Sequence, residues 1–216
     1  MKRFRFTNIV GQFNFPIANA SGKYLSQLER RGGVHLLLEP QVSGFRYSEP
    51  RIFYRDAEGK KRRYTGDTLV QFEPSSVRRP LVIEYKYQAE LDRKPQLLGH
   101  YETISQELNR LGMDFIIRTD LHVLTPDFRV KELICGYSND PESSVEEDVL
   151  RVIQRNGSIA VGVLISQLRS DRAAQLSLVP VVWRLVAQRR AFIDFKFLPC
   201  AETVVRSQPF NQGQYL

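Results

Sequence analysis

Leu81-Val82-Ile83-Glu84-Tyr85-Lys86 is an apolar run that carries a carboxylate and an ammonium two residues apart. Side chains alternate across a strand, so Glu84 and Lys86 share one face and Leu81, Ile83 and Tyr85 the other. Upstream, Tyr64-Thr65-Gly66-Asp67-Thr68-Leu69-Val70 reads as the partner strand of a hairpin that turns through Pro74–Pro80. Pairing Phe72 near Leu81 sets Asp67 beside Glu84 and Lys86, and leaves Val70, Phe72, Leu81, Ile83 and Tyr85 as the core face. Two clustered carboxylates suit a hard divalent cation bound through oxygen. A neighbouring lysine orients a water or stabilises developing negative charge. The same residue types also describe a solvated strand face and an Asp at a turn, so the rest of the chain has to decide.

The net charge of +7 is uneven. Residues 1–63 hold 13 Lys/Arg against 5 Asp/Glu, residues 64–140 hold 9 against 12, and residues 141–216 hold 9 against 7. A basic segment beside an acidic cluster is what cutting a polyanion requires, although a basic segment also serves solubility alone. Lys2, Arg3, Arg5, Lys60, Lys61, Arg62 and Arg63 are the candidate phosphate contacts. Cys135 and Cys200 are far apart and form no CxxC, so neither a disulfide framework nor a zinc cluster is implied. Met1-Lys2-Arg3-Phe4-Arg5-Phe6 lacks the apolar core of a signal peptide, and the apolar run Ala160–Ile165 is too short to span a bilayer. The expected location is the cytoplasm, with no membrane partner.

Residues 1–20 read as an arm with Phe4, Phe6, Phe13 and Phe15. A helix is expected over 23–38, weakened by Gly32-Gly33 and stopped by Pro40. Residues 42–72 read as strands, with a turn at 56–59 between Arg51–Arg55 and Lys61–Thr65. A helix over 95–112 and a strand over 113–119 complete a mixed α/β sheet packed with helices, in a first domain of residues 1–140. Gly136–Ser144 has the composition of a linker. Beyond it, Ser144 and Glu147 form a candidate capping box for a helix over 145–155, Ser158 is a candidate cap for a second, and Pro180 lies early in a third. With a short hairpin over 192–205, residues 141–216 read as a winged-helix-like second domain. Arg184, Arg189 and Arg190 suit a helix C-terminus.

Leu25-Ser26-Gln27-Leu28-Glu29-Arg30, Glu49-Pro50, Arg63-Tyr64-Thr65-Gly66-Asp67-Thr68-Leu69-Val70 and Val82-Ile83-Glu84-Tyr85-Lys86 together resemble the TnsA family, the endonuclease subunit of heteromeric TnsA/TnsB transposases. The motifs cover residues 25–120, and the remainder follows only the family's layout. The resemblance implies a restriction-endonuclease-like sheet, with Glu29, Asp67 and Glu84 as metal-facing acids and Lys86 as the catalytic lysine. It implies magnesium, as one or two ions that manganese replaces. It also implies cleavage of double-stranded DNA at the 5′ ends of the transposon, a TnsB-type transposase that handles the 3′ ends, and a TnsC-type AAA+ ATPase regulator. Gly66 stands where Pro is usual in the family. Glu49 stands where Gln is frequent and is given no role.

Other candidates have plainer readings. Thr125-Pro126-Asp127-Phe128 repeats a Pro-Asp-Phe, but no strand with Glu-x-Lys follows, so a turn is expected. Glu39 is an alternative to Glu29, placed at the helix end. His35, His100 and His122 have no metal spacing, and Trp183 fits a core position. Two other functions stay open at this point: a stand-alone restriction or repair nuclease of the same fold, and an inactive DNA-binding adaptor.

Overall fold

In the computed structural model, which describes residues 11–12, 20–56 and 58–209, the chain runs from a short ladder into a helix and then a sheet. Of the expected arm only residues 11–12 and 20 are described, and the candidate contacts Lys2, Arg3 and Arg5 lie outside the described residues. β1 (Gly11–Gln12) pairs with β2 (Lys23–Tyr24), and α1 (Gln27–Leu38) follows. The helix therefore starts four residues later than expected. Ser26 sets its start, because its Oγ accepts the Glu29 N–H at 3.1 Å. Gly32 and Gly33 do not break it.

β3 (Val42–Tyr47), β4 (Arg51–Arg55), β5 (Lys61–Thr65) and β6 (Thr68–Phe72) come next. A single-turn 3₁₀ helix at Pro74–Ser76 leads to β7 (Leu81–Lys86). α2 (Gln88–Arg93), α3 (Gln96–Arg110), β8 (Asp114–Thr119) and α4 (Asp120–Val123) complete this part. The main sheet has the order β3-β6-β7-β8, antiparallel except for the parallel pair β7–β8.

Two expectations about this sheet are corrected. Tyr64–Val70 is not one strand: β5 pairs with β4 in a separate ribbon, β6 joins the main sheet, and the chain changes sheets at Gly66-Asp67. The break is fixed by Gly66 N–H donating to the Pro50 carbonyl at 3.0 Å and Ser48 N–H to the Asp67 carbonyl at 2.9 Å. The register also differs by two residues. Val70, not Phe72, pairs with Leu81, and Phe72 lies beyond the β6–β7 ladder while still pairing with Val42 on β3.

A Cβ at Gly66 would lie 2.7 Å from the Glu49 carbonyl oxygen and 2.8 Å from Val82 Cγ1. A proline there would also lose the N–H that Pro50 accepts. Gly66→Ala is expected to cost about 1–3 kcal/mol in a denaturant melt through overpacking. An unchanged midpoint would mean that the Glu49–Gly66 approach is loose.

The inner face of the β4–β5 ribbon packs Ile52, Tyr54 and Tyr64 against Leu69, Val82, Tyr101, Ile104 and Leu108. Both faces of β7 are thus covered, and all its residues but Lys86 are buried.

The chain divides into two compact units, Met1–Leu36 with Gln41–Thr125, and Leu37–Pro40 with Pro126–Leu216. The division falls upstream of the expected position at 140. In the second unit α5 (Phe128–Gly136) and a 3₁₀ turn (Tyr137–Asn139) precede α6 (Glu146–Asn156), β9 (Ser158–Ala160), α7 (Val161–Leu168), α8 (Arg172–Ala187) and β10 (Val204–Arg206). β10 pairs antiparallel with β9, and Phe192 makes one antiparallel bridge to Arg206 where a hairpin was expected.

The sequence misplaces several boundaries here. The expected box of Ser144 with Glu147 does not form: Val145 stands at the N-cap of α6 without a side-chain cap, and Glu146 Oε1 accepts the Ser143 N–H at 3.1 Å. Ser158 opens a strand, not a helix. Pro180 lies mid-helix, because Asp171 caps α8 eight residues earlier than expected by accepting the Ala174 N–H at 2.8 Å. Arg184 and Arg190 both pair with the buried Glu146, rather than only trimming a helix end. Trp183 is in the core.

Nor is 136–144 a free linker. Ser138 is buried with its Oγ on the Cys135 carbonyl at 2.7 Å, and Arg184 Nε donates to the Asp140 carbonyl at 2.7 Å. α5 packs against α8. A fragment ending at residue 140 would keep α5 and lose α8, so it is expected to bind a hydrophobic dye and to lose the α5 helix by circular dichroism. A monomeric 1–140 fragment with α5 intact would contradict that packing.

Candidate active site

Asp67 and Glu84 become neighbours because β6 and β7 pair Thr68 with Ile83, which leaves Asp67 opposite Glu84 one step beyond the ladder. Asp67 sits where the chain changes sheets, and its Oδ2 accepts the Tyr85 N–H at 2.7 Å. Glu84 is only 5% exposed. Its Oε2 accepts the Tyr64 hydroxyl at 2.7 Å, while Oε1 accepts the Tyr101 hydroxyl at 3.0 Å and Lys86 Nζ at 2.7 Å. Lys86 Nζ also donates to the Tyr85 carbonyl at 3.2 Å. Three elements therefore converge on one carboxylate: the ribbon through Tyr64, α3 through Tyr101, and β7 itself.

Glu29 comes from the first turn of α1 and is buried. Its Oε2 accepts the Leu25 N–H at 2.8 Å and its own N–H donates to Ser26 Oγ, a capping arrangement that the Ser-x-x-Glu spacing also encodes. Tyr47 donates its hydroxyl to the Glu29 carbonyl at 3.2 Å. The helix can approach β7 closely because position 32 has no side chain. A Cβ at Gly32 would lie 2.2 Å from the Tyr85 hydroxyl oxygen. Gly32→Ala is expected to push Tyr85 aside, cost about 1–3 kcal/mol and lower any activity that depends on Glu29. The double variant Gly32→Ala/Tyr85→Leu should recover most of the stability. Its failure to do so would mean that Gly32 is needed for another reason.

The electrostatics match this crowding. Burial, and next to it the negative charge of Glu84, raise Asp67 to about 7, against the pull of Lys86 and the Tyr85 N–H, with Glu29 adding to the rise. Burial also raises Glu29, with Glu84 again contributing and the Leu25 and Ser26 bonds opposing. For Lys86, burial works against the charged form, yet Glu84 and Asp67 outweigh it and hold the ammonium above its ordinary value. Burial and Glu84 push the Tyr64 and Tyr101 hydroxyls well up, so both remain donors.

Among the described residues no group of three His, Cys, Asp or Glu side chains is arranged to hold a metal ion. Both oxygens of Glu84 accept bonds, from Tyr64, Tyr101 and Lys86, and one of Glu29 accepts from Leu25. As a pair, Asp67 and Glu84 fit a hard divalent cation in donor type, since both are oxygen acids and Glu84 raises the cost of the Asp67 charge.

The remaining candidates are placed as follows. Lys60, Lys61, Arg62 and Arg63 are exposed on the ribbon, but Arg62 is paired with Asp56 at 2.7 Å. Asp127 closes a turn and pairs with Lys131 at 2.8 Å. His35 Nε2 bonds the Val123 carbonyl, His100 lies against the Tyr54 hydroxyl, and His122 Nδ1 accepts the Thr119 N–H. Tyr64 and Tyr101 orient Glu84, and neither is among the site residues expected from sequence. Tyr64 lay in the quoted motif, but Tyr101 is an ordinary member of a helix stripe whose reach to Glu84 leaves no local signal.

No helix among the described residues is long and apolar enough to cross a membrane. No curated protein matches the chain. The family model described as TnsA-like endonuclease N terminal matches residues 39–120, a span that includes Asp67, Glu84, Lys86, Tyr64 and Tyr101. Over that span the chain is similar to the N-terminal domain of TnsA-like endonucleases.

Proposed function

We propose that the chain is the DNA endonuclease subunit of a heteromeric transposase, cutting the 5′ ends of the element by metal-dependent phosphodiester hydrolysis while a TnsB-type transposase acts on the 3′ ends under a TnsC-type AAA+ ATPase. The observation that carries this reading is the meeting of Asp67, Glu84 and Lys86 at one sheet end inside the span matched to TnsA-like endonucleases. Asp67 and Glu84 would hold magnesium, with Glu29 beside them. When bound, the ion supplies Lewis acidity toward the phosphate and an activated water.

The protein's own groups do the rest. Lys86 keeps its proton at neutral pH, because Glu84 and Asp67 favour the charged form. It therefore acts as a fixed positive charge that orients the attacking water and offsets charge on the phosphate, not as a proton acceptor. Tyr64 and Tyr101 fix both oxygens of Glu84. Leu25 N–H and the Ser26 cap fix Glu29 at the helix start. Lys60, Lys61 and Arg63 are proposed phosphate contacts, with Lys2, Arg3 and Arg5, whereas Arg62 is held by Asp56. The second unit, with its helix–strand–helix–helix–strand order, is proposed as a winged-helix-like module for protein contacts.

Strand-specific cleavage of end-labelled transposon-end DNA, with the partner transposase and magnesium present, tests the reading. The expected result is a cut on the 5′ strand that Lys86→Ala abolishes. Wild-type cutting by Lys86→Ala would remove Lys86 from the site, and cutting without any partner would favour a stand-alone nuclease. Because a proton competes for Asp67, magnesium affinity by calorimetry is expected to fall about tenfold per pH unit below about 7. A flat profile from pH 5.5 to 7 would argue against Asp67 as a ligand.

A further inference from the structure

We infer that the outer face of the β4–β5 ribbon is a seat for duplex DNA that leads the scissile strand to Asp67. For the identity of the polyanion this rests on the nuclease reading above. The ribbon pairs Arg51 with Thr65, Phe53 with Arg63, and Arg55 with Lys61. These side chains alternate outward: Arg51, Phe53, Arg55, Lys61 and Arg63 are exposed, while Ile52, Tyr54 and Tyr64 are buried. One face thus gathers four cations from two strands and carries no carboxylate at any of its paired positions. The acids Asp56 and Glu58 lie in the turn at the tip, where Asp56 is occupied by Arg62 from the other face. Arg55 spends one N–H on the Gly59 carbonyl, and Lys61 Nζ lies 4.6 Å from the Phe53 ring centre. Phe53 itself is 62% exposed at the centre of the cationic face. An apolar ring among cations that face no carboxylate across the ribbon fits a nucleic-acid backbone with its sugars better than it fits water.

The position adds a direction. The ribbon ends at Thr65 and Asp67 is two residues further on, so its cations line up outward from the acids over about 17 Å. A two-stranded ribbon of that size fits the major groove of B-form DNA. The four consecutive residues Lys60–Arg63 are therefore not the unit of binding. Arg51 and Arg55 belong to it, and Arg62 does not.

The test is duplex-DNA binding by the full chain in EDTA, followed by fluorescence anisotropy across a salt series. Arg51→Gln/Lys61→Gln/Arg63→Gln is expected to reduce the slope of log K against log salt by about 2.7, since each phosphate contact contributes about 0.9. Its disadvantage against wild type should then be about 40-fold larger at 50 mM salt than at 200 mM. Arg62→Gln should leave the slope unchanged. If the triple variant melts early, Arg63→Gln alone carries the test with one third of the drop. An unchanged slope in these variants, an equal drop for Arg62→Gln, or equal affinity and slope on duplex RNA would overturn the inference. Because binding is read without metal, such a failure leaves the cleavage assignment standing. Conversely, cleavage by Asp67→Asn with a reduced slope in the triple variant would sink the active site and spare the ribbon.

Discussion

Replacing Asp67 by Asn is expected to reduce cleavage on the order of 10³-fold and, in metal-free buffer at pH 8, to raise the melting temperature. The second half follows from the raised pKa of Asp67. Below about 3.8 Asp67 is protonated in both the folded and unfolded chain and contributes nothing. Between 3.8 and about 7 the unfolded chain ionises while the fold retains the proton. The unfolded state then binds fewer protons, so stability falls as pH rises. Above about 7 the penalty is complete, on the order of a few kcal/mol. Asn keeps an oxygen for the Tyr85 N–H without the charge. The stabilisation should therefore appear at pH 8 and vanish at pH 4. A variant less stable than wild type at pH 8 would show that Asp67 gains more from its partners than it loses by burial beside Glu84. Cleavage at the wild-type rate would remove it from the site.

The second large effect is at Glu84. Truncation to Ala strands three donors at once, the Tyr64 and Tyr101 hydroxyls and the Lys86 ammonium. The expected cost is about 3–5 kcal/mol in a urea melt, with cleavage lost. Adding Lys86→Met removes the unpaired charge and should recover much of that stability, but none of the activity. This separates the two roles of the carboxylate, anchor of a buried network and candidate metal ligand. If Glu84→Ala alone melts like wild type, the network is looser than its distances imply. If the double variant cleaves, neither residue belongs to the chemistry.

How far the sequence reached depended on the range of the interactions. Asp67 beside Glu84 was legible because alternation along a strand and a short return fix which residues meet, and a register error of two residues still left them adjacent. The break at Gly66 was not legible. It depends on Pro50 and Ser48, which lie fifteen or more residues upstream and reveal nothing by periodicity. The family model supports the endonuclease relationship over 39–120, whereas the roles given to Glu29, Asp67, Glu84 and Lys86 rest on their placement here. Glu29 is legible through its motif, and Ser26-Gln27-Leu28-Glu29 also spells the helix cap in which it takes part. Tyr101 could not be found at all, since seventeen residues and a change from strand to helix separate it from Glu84. In the second unit the helix starts decided the errors: α8 begins at the Asp171 cap, and α6 begins after Val145 with no side-chain cap, its first residue Glu146 held by the distant Arg184 and Arg190.

The odd and even positions of β5 face different tasks. Tyr64 points inward to Glu84, while Arg63 and Thr65 on either side point out. Substitution and length change therefore have opposite consequences in this strand. The outward positions can be exchanged one by one to suit a different surface without disturbing the carboxylate behind them. A single inserted or deleted residue between 61 and 65 would transpose the two sets, bringing a cation against the core and a tyrosine to water. Five residues of one strand thus tolerate many spellings but only one reading frame.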